Sequence, residues 1–293
     1  VRLSGPAGER ADGAGQRRRA AALFVVALAA ALSGLPPRAR GEEARGDEWD
    51  RQEGESRSGR VENPDQCRMG TAGADYRQKL REWRTPRDLR PHRWVRGFRE
   101  VTFRNIHTNR SAKLRLFGDD GELTAEAKAE IRRIWNDSAT GEGREIRDRL
   151  IKILYFVAVK FHAEEIVIIS GFRDDRNESV THPHWQGRAA DIIVPGTSSR
   201  RVWEYVQTYG KVGVGRYPVS GFVHVDVRDA SFFWEDVSGP GQPSCYYPVD
   251  RDLARRYDAA YDPHHDDPRR LRAYHDWQEQ RARRRRRADD EGR

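Results

Sequence analysis

Gly221-Phe222-Val223-His224-Val225-Asp226-Val227-Arg228 alternates apolar and functional side chains with a period of two, which is the period of a β-strand. On such a strand the three valines share one face, while Phe222, His224 and Asp226 share the other. The valines belong to a packed core. The opposite face carries an imidazole and a carboxylate that project toward a pocket or solvent, and the segment reads as the last strand of its domain. Taken alone, a same-face His–Asp pair is more often a hydrogen-bonded structural pair than a site.

Upstream, His182-Pro183-His184-Trp185-Gln186-Gly187-Arg188-Ala189-Ala190-Asp191 runs into Ile192-Ile193-Val194. A histidine precedes a glycine able to take a tight conformation, then small alanines, then an aspartate that opens an apolar strand. A carboxylate in that place is costly to bury unless it is paired, hydrogen-bonded or metal-bound. With His224, the pair His184 and Asp191 makes a three-ligand set suited to zinc, leaving a fourth position for water. Such a site lowers the pKa of bound water to about 7 and polarises a carbonyl, which is the chemistry of peptide hydrolysis.

The elements around these segments follow from pattern. Ile166-Val167-Ile168-Ile169 is a buried strand by β-branching and length, and it ends at Ser170-Gly171-Phe172-Arg173. A second strand covers 189–194, a helix starts near Ser198 or Ser199, and 210–215 reads as a Gly-rich turn. Ile146, Leu150, Ile153, Leu154, Val157 and Phe161 recur mainly at steps of three and four, predicting a core helix. Thr124 reads as the N-cap of a shorter helix with Ala127, Ile131 and Ile134 on one face. Before it, 99–107 and 112–117 form a strand pair turned near Asn109-Arg110, followed by the turn Gly118-Asp119-Asp120-Gly121. Early helices and strands grouped around a site argue for an α+β fold over a doubly wound parallel sheet.

Of the 293 residues, 37% are hydrophobic and 34% charged, with a formal net charge of +8. This composition fits one compact domain with solvated flanks. The positive excess gathers in Arg17 to Arg19 and in 281–287, outside the patterned region, and no docking motif accompanies it; nucleic acid is therefore not expected as a partner. Arg17-Arg18-Arg19, the apolar run 20–35 and Pro36-Pro37 have the layout of a secretory signal. That run is shorter than the ~20 residues of a membrane span. Membrane contact is expected only through the signal, and the location is exported, periplasmic or cell-envelope. Residues 1–40 read as the signal region, 41–75 as a charged linker, 76–245 as the domain and 246–293 as a polar basic tail, helical in part. A monomer is expected. Cys67 and Cys245 flank the domain; in an oxidising compartment they could pair, and two free thiols are an equal reading.

Several words in order carry a resemblance: Asn105-Ile106-His107-Thr108, Ser170-Gly171-Phe172-Arg173, the spacing of His184, Gly187, Ala189 and Asp191, Val212-Gly213-Val214-Gly215-Arg216-Tyr217, and Gly221-Phe222-Val223-His224-Val225-Asp226. Over about 99–234 the chain resembles the zinc murein endopeptidases related to D-Ala-D-Ala metallopeptidases. The resemblance implies a Hedgehog/DD-peptidase-like α+β fold with a small antiparallel sheet and packed helices. It also implies Zn2+ held by His184, Asp191 and His224, and Arg173 beside the substrate to hold a carboxylate or carbonyl oxygen, a task its planar fork suits. Peptidoglycan peptide cross-links, D,D or L,D, are the implied substrate.

Two positions depart from the family pattern. The family usually has Ser two residues before the first ligand, whereas this chain has His182, read first as a loop residue and otherwise as an extra ligand or a group contacting one. The better-studied relatives carry a Glu shortly before the last His as general base, and none stands near Gly221. Asp226 is the substitute, either reaching a water on the metal or orienting His224. The missing Glu leaves a noncatalytic wall-binding module as an alternative, alongside a carboxypeptidase or dipeptidase acting on small D-amino-acid peptides. His264-His265-Asp266-Asp267 is metal-like in composition but sits in a polar segment. Trp185 and Tyr217 read as packing before recognition, and no physical role is evident for His107.

Overall fold

The computed structural model describes residues 68–95, 97–137, 139–174, 182–248, 251–272, 275–276, 280–281 and 283–284. The signal region, the linker through Cys67 and most of the run 281–287 lie outside the described residues. No described helix is long and apolar enough to cross a membrane.

Element order is α1 (Ala74–Arg84), β1 (Trp94–Val95), β2 (Phe98–Arg99), β3 (Val101–Asn105), β4 (Ser111–Leu114), α2 (Ala125–Ile134), α3 (Asp148–Lys160), β5 (Glu165–Ser170), β6 (Ala189–Ile193), α4 (Ser199–Gln207), β7 (Val212–Arg216), β8 (Val223–Val227), β9 (Phe232–Asp236), β10 (Tyr246–Pro248) and α5 (Arg251–Ala259). The fold is α+β, as the patterning implies. The sheet is neither small nor purely antiparallel: eight strands run in the order β10-β9-β7-β8-β6-β5-β3-β4. The pairs β3–β5 and β7–β9 are parallel. Register over long sequence distances sets this arrangement, and local periodicity does not encode it.

Each face of the sheet has its own cover. Ile166, Ile168, Ala190, Ile192, Val214, Val223 and Val225 pack with α2, α3 and α4 in the main apolar cluster. Val167 and Ile193, which alternate with these on the same strands, pack with Leu80 of α1, and Phe222 lies against that second cluster. Coverage on both sides explains why β5 is a continuous apolar run instead of an alternating one. Helix α1 escaped pattern reading because only Leu80 of it is buried. The caps Thr124 and Ser198 accept from Ala127 N and Arg201 N, as their residue types predict.

Two expectations about the second half are corrected. The Gly-rich turn at 210–215 is mostly strand β7, and its glycines mark crowding. A Cβ on Gly213 would lie 2.0 Å from Asp226 Oδ2, and one on Gly215 would lie 2.3 Å from the Trp234 ring. Nor is β8 the last strand, since β9 and β10 follow it and β9 pairs with β7. The stretch after residue 250, which reads as polar from sequence, contributes Ala254, Tyr257 and Leu271 to the main cluster. Cys245 is disulfide-bonded, and Cys67 lies outside the described residues.

Helix α5 is tied to the sheet through Asp258. Its carboxylate accepts from Lys211 N (2.6 Å), Ser231 N (2.7 Å) and Ser231 Oγ (2.5 Å). Asp258→Ala strands these donors and is expected to cost about 1–3 kcal/mol. Urea denaturation measures this, and a loss under about 0.5 kcal/mol would contradict the role given to the carboxylate.

Candidate metal centre

The sheet register brings the first two site residues together. Asp191 on β6 stands directly opposite His224 on β8, and Gly215 of β7 flanks His224 on its other side. His184 comes from the loop before β6, which turns back through Gln186 N to His182 O and Gly187 N to His184 O. Gly187 has φ +64, and a Cβ there would meet Glu145 O at 2.3 Å. Only glycine fits that turn.

His184, Asp191 and His224 are all buried, and each offers one donor atom to a common point. His184 Nε2 is 3.2 Å from His224 Nδ1 and 3.5 Å from Asp191 Oδ1, and His224 Nδ1 is 2.9 Å from Asp191 Oδ1. A tetrahedral ion with zinc-like bonds of about 2.0–2.1 Å spaces its donors about 3.3 Å apart. The three side chains fit that demand.

Proton placement strengthens the fit. His184 Nδ1 lies 2.6 Å from Gly171 O, which can only accept, so Nδ1 carries the proton and Nε2 presents a lone pair. His224 Nε2 lies 3.1 Å from Asp226 Oδ2. Asp226 is ionised: burial opposes its charge, but Arg228 and His224 outweigh burial and hold it far below the usual carboxylate range. It therefore accepts from His224 Nε2–H, which leaves Nδ1 of His224 turned toward Asp191 and His184. Two imidazole nitrogens and a carboxylate oxygen brought this close together suit a cation.

The electrostatics differ among the three. Burial, helped by the nearby Arg173 charge, lowers His184 to about 4 and keeps it neutral. Burial opposes the charge on Asp191 too, but the two histidines outweigh it and hold Asp191 well below its usual range. For His224, burial opposes protonation, yet hydrogen bonds to Asp191 and Asp226 prevail and raise it.

His182 is not among the three converging side chains. Its ring lies parallel to that of His184 with centroids 5.6 Å apart, and burial, with His184 and Arg173 adding, lowers it to about 3. Arg173 stands close enough to act on both His182 and His184, and its Nε is buried with no hydrogen-bond partner among the described residues. Its loop is pinned by Phe172 N to Trp135 O (2.8 Å) and Asp174 N to Asp137 Oδ2 (3.0 Å). Trp185 lies under the Arg144 guanidinium at 3.7 Å, and Tyr217 stacks on Phe222 at 4.2 Å. His107 is exposed, while Asn105 braces its turn by accepting from His107 N and Thr108 N. In the 263–266 turn, Asp266 is committed to Arg149 at 2.6 Å, and no second metal-competent cluster occurs among the described residues.

Arg228 is the residue that sequence reasoning missed. It grips both oxygens of Asp226, and the period-two face of Phe222, His224 and Asp226 continues to it.

The segment that carries this site, residues 94–231, matches the model of a murein endopeptidase family. The family model it matches is described as peptidoglycan L,D-endopeptidase MepK. Curated relatives include the peptidoglycan L,D-endopeptidase MepK of Escherichia coli strain K12, 28% identical over 143 residues that cover 45% of this chain and 78% of that protein. The probable peptidoglycan L,D-endopeptidase MepK of Haemophilus influenzae is 26% identical over 143 residues, covering 44% of this chain and 75% of that protein. No solved structure matches the chain.

The purified protein is expected to bind one divalent ion per chain, measured by elemental analysis and by competition with a chelator. Loss of a group that merely supports a ligand costs about 10–100-fold in affinity, so Asp191→Ala should cost more than that; undiminished binding in this variant would remove the site. Gly171→Ala would place a Cβ 2.6 Å from Trp135 and displace the carbonyl that accepts from His184. It should weaken metal binding by about 10-fold in the same assay.

Proposed function

We propose that this chain is an exported zinc-dependent peptidoglycan endopeptidase that hydrolyses peptide cross-links of the bacterial cell wall. The observation that carries the reading is the convergence of ligand atoms from His184, Asp191 and His224, beside Arg173, whose buried Nε has no hydrogen-bond partner among the described residues. Zinc in that place would supply Lewis acidity, activating water and polarising the scissile carbonyl. The similarity to peptidoglycan L,D-endopeptidases supports L,D cross-links as the substrate, and the α+β fold is consistent with a Hedgehog/DD-peptidase-like architecture. Export rests on the three arginines and apolar run near the start of the chain.

The chain's own residues divide the work. His184 is held as a neutral donor by Gly171 O, and Asp226 fixes the His224 ring through Nε2, so both rings are already aimed at the shared point. Arg173 holds a carboxylate or the carbonyl oxygen of the wall peptide through its planar fork. Asp226 orients His224; both its oxygens are already engaged by Arg228 and His224, which argues against its taking a proton from water.

Cross-linked muropeptides incubated with the zinc-loaded full chain should be cleaved, and chelator should abolish cleavage. Arg173→Lys is expected to lower kcat/KM by about 100-fold, about 2.7 kcal/mol, with zinc content unchanged. Cleavage that survives chelation and His224→Ala would refute the metallopeptidase reading. Sacculus binding without cleavage, persisting in His224→Ala, would point instead to a wall-binding module.

A further inference from the structure

Asp226 can orient His224 only if something orients Asp226. A carboxylate rotates about its own bond, and one acceptor contact to an imidazole does not stop it. Three observations show what fixes it. Arg228 donates Nε to Asp226 Oδ1 at 2.8 Å and Nη2 to Oδ2, the two-point grip that a guanidinium fork makes. Asp226 is completely buried, whereas the Arg228 side chain is 24% exposed, so the arginine closes the carboxylate off from solvent. Arg228 is itself seated, with its guanidinium 5.9 Å from the Trp234 ring, and Trp234 packs 5.2 Å from the His224 ring.

Strand β7 is shaped to admit this arrangement. Ala189 and Gly213 flank Asp226 in the register, and a Cβ on Gly213 would lie 2.0 Å from Asp226 Oδ2 and 2.4 Å from Arg228 Nη2. Any larger residue at 213 would occupy the place of the clamp.

Resting on the zinc reading above, we propose that Arg228 is a positioning residue of the metal centre. Its guanidinium fixes Asp226 in the plane where Oδ2 accepts from His224 Nε2–H, and so it aims His224 Nδ1 at the point shared with His184 and Asp191. The fork is what matters, beyond the positive charge, because lysine supplies charge at one point and leaves the carboxylate free to turn.

The test uses the full chain and two readouts that do not depend on turnover. Zinc affinity is measured by competition with a chromogenic chelator, and the His224 tautomer is read from the imidazole 15N shifts of the metal-free protein. The parent should show a proton on Nε2. Arg228→Lys and Arg228→Gln should weaken zinc binding by about 10–100-fold and shift the 15N signals toward a tautomer mixture. Gly213→Ala, which leaves Arg228 in the sequence and crowds the clamp, should move both readouts in the same direction if a residue-228 variant fails to fold. Folded variants at 228 with parental affinity and an unchanged Nε2–H signature would overturn the role of Arg228. Failure of the parent to bind zinc would instead overturn the reading on which it rests.

Discussion

Asp191 and His224 face one another across an antiparallel strand pair, and this single register makes the site. Side chains alternate across a sheet, so slipping β6 against β8 by one residue would send one of the pair into the helix-covered core. The apolar partners forbid it: Ala190, Ile192, Val223 and Val225 are locked into the main cluster. The chemistry of one face is thus held in place by hydrophobic packing on the other. His184 then needs only a short loop, turned at Gly187, to join them.

Much of this was legible locally. Strands at 165–170 and 223–227 and helices at 125–134 and 148–160 announce themselves by period and cap, and the spacing of His184, Asp191 and His224 named the side chains that the fold brings together. Strand β7 was not legible, because glycines that make room for Trp234, Asp226 and Arg228 look like turn formers when their neighbours are unseen. Helix α1 was missed because a charged helix that buries a single leucine has no apolar stripe. The parallel pairings and the width of the sheet depend on contacts between distant segments, which no window of sequence contains. Arg228 was overlooked for a different reason: it extends the same-face row, but its use emerges only once Asp226 is seen to be fully enclosed.

The basic character of the domain also has an internal use. Buried Glu165 is held by Arg87 and by Arg104 at 3.1 Å, Asp226 by Arg228, and Asp266 by Arg149. Each of these carboxylates is buried and would lose a cation partner if the arginine were removed, so these arginines are tied to the fold. Arginines of this kind are no guide to an anionic partner, because acids that the sheet encloses already hold them.

The three converging side chains come from a scaffold that owes its cohesion to two apolar clusters on either side of a wide sheet. Small zinc modules work the other way round, folding only around their ion. Here packing on the two faces of the sheet holds the strands that carry the site, so the cohesion of the domain does not rest on an ion. A domain built this way can lose one ligand side chain and keep the packing that frames the other two.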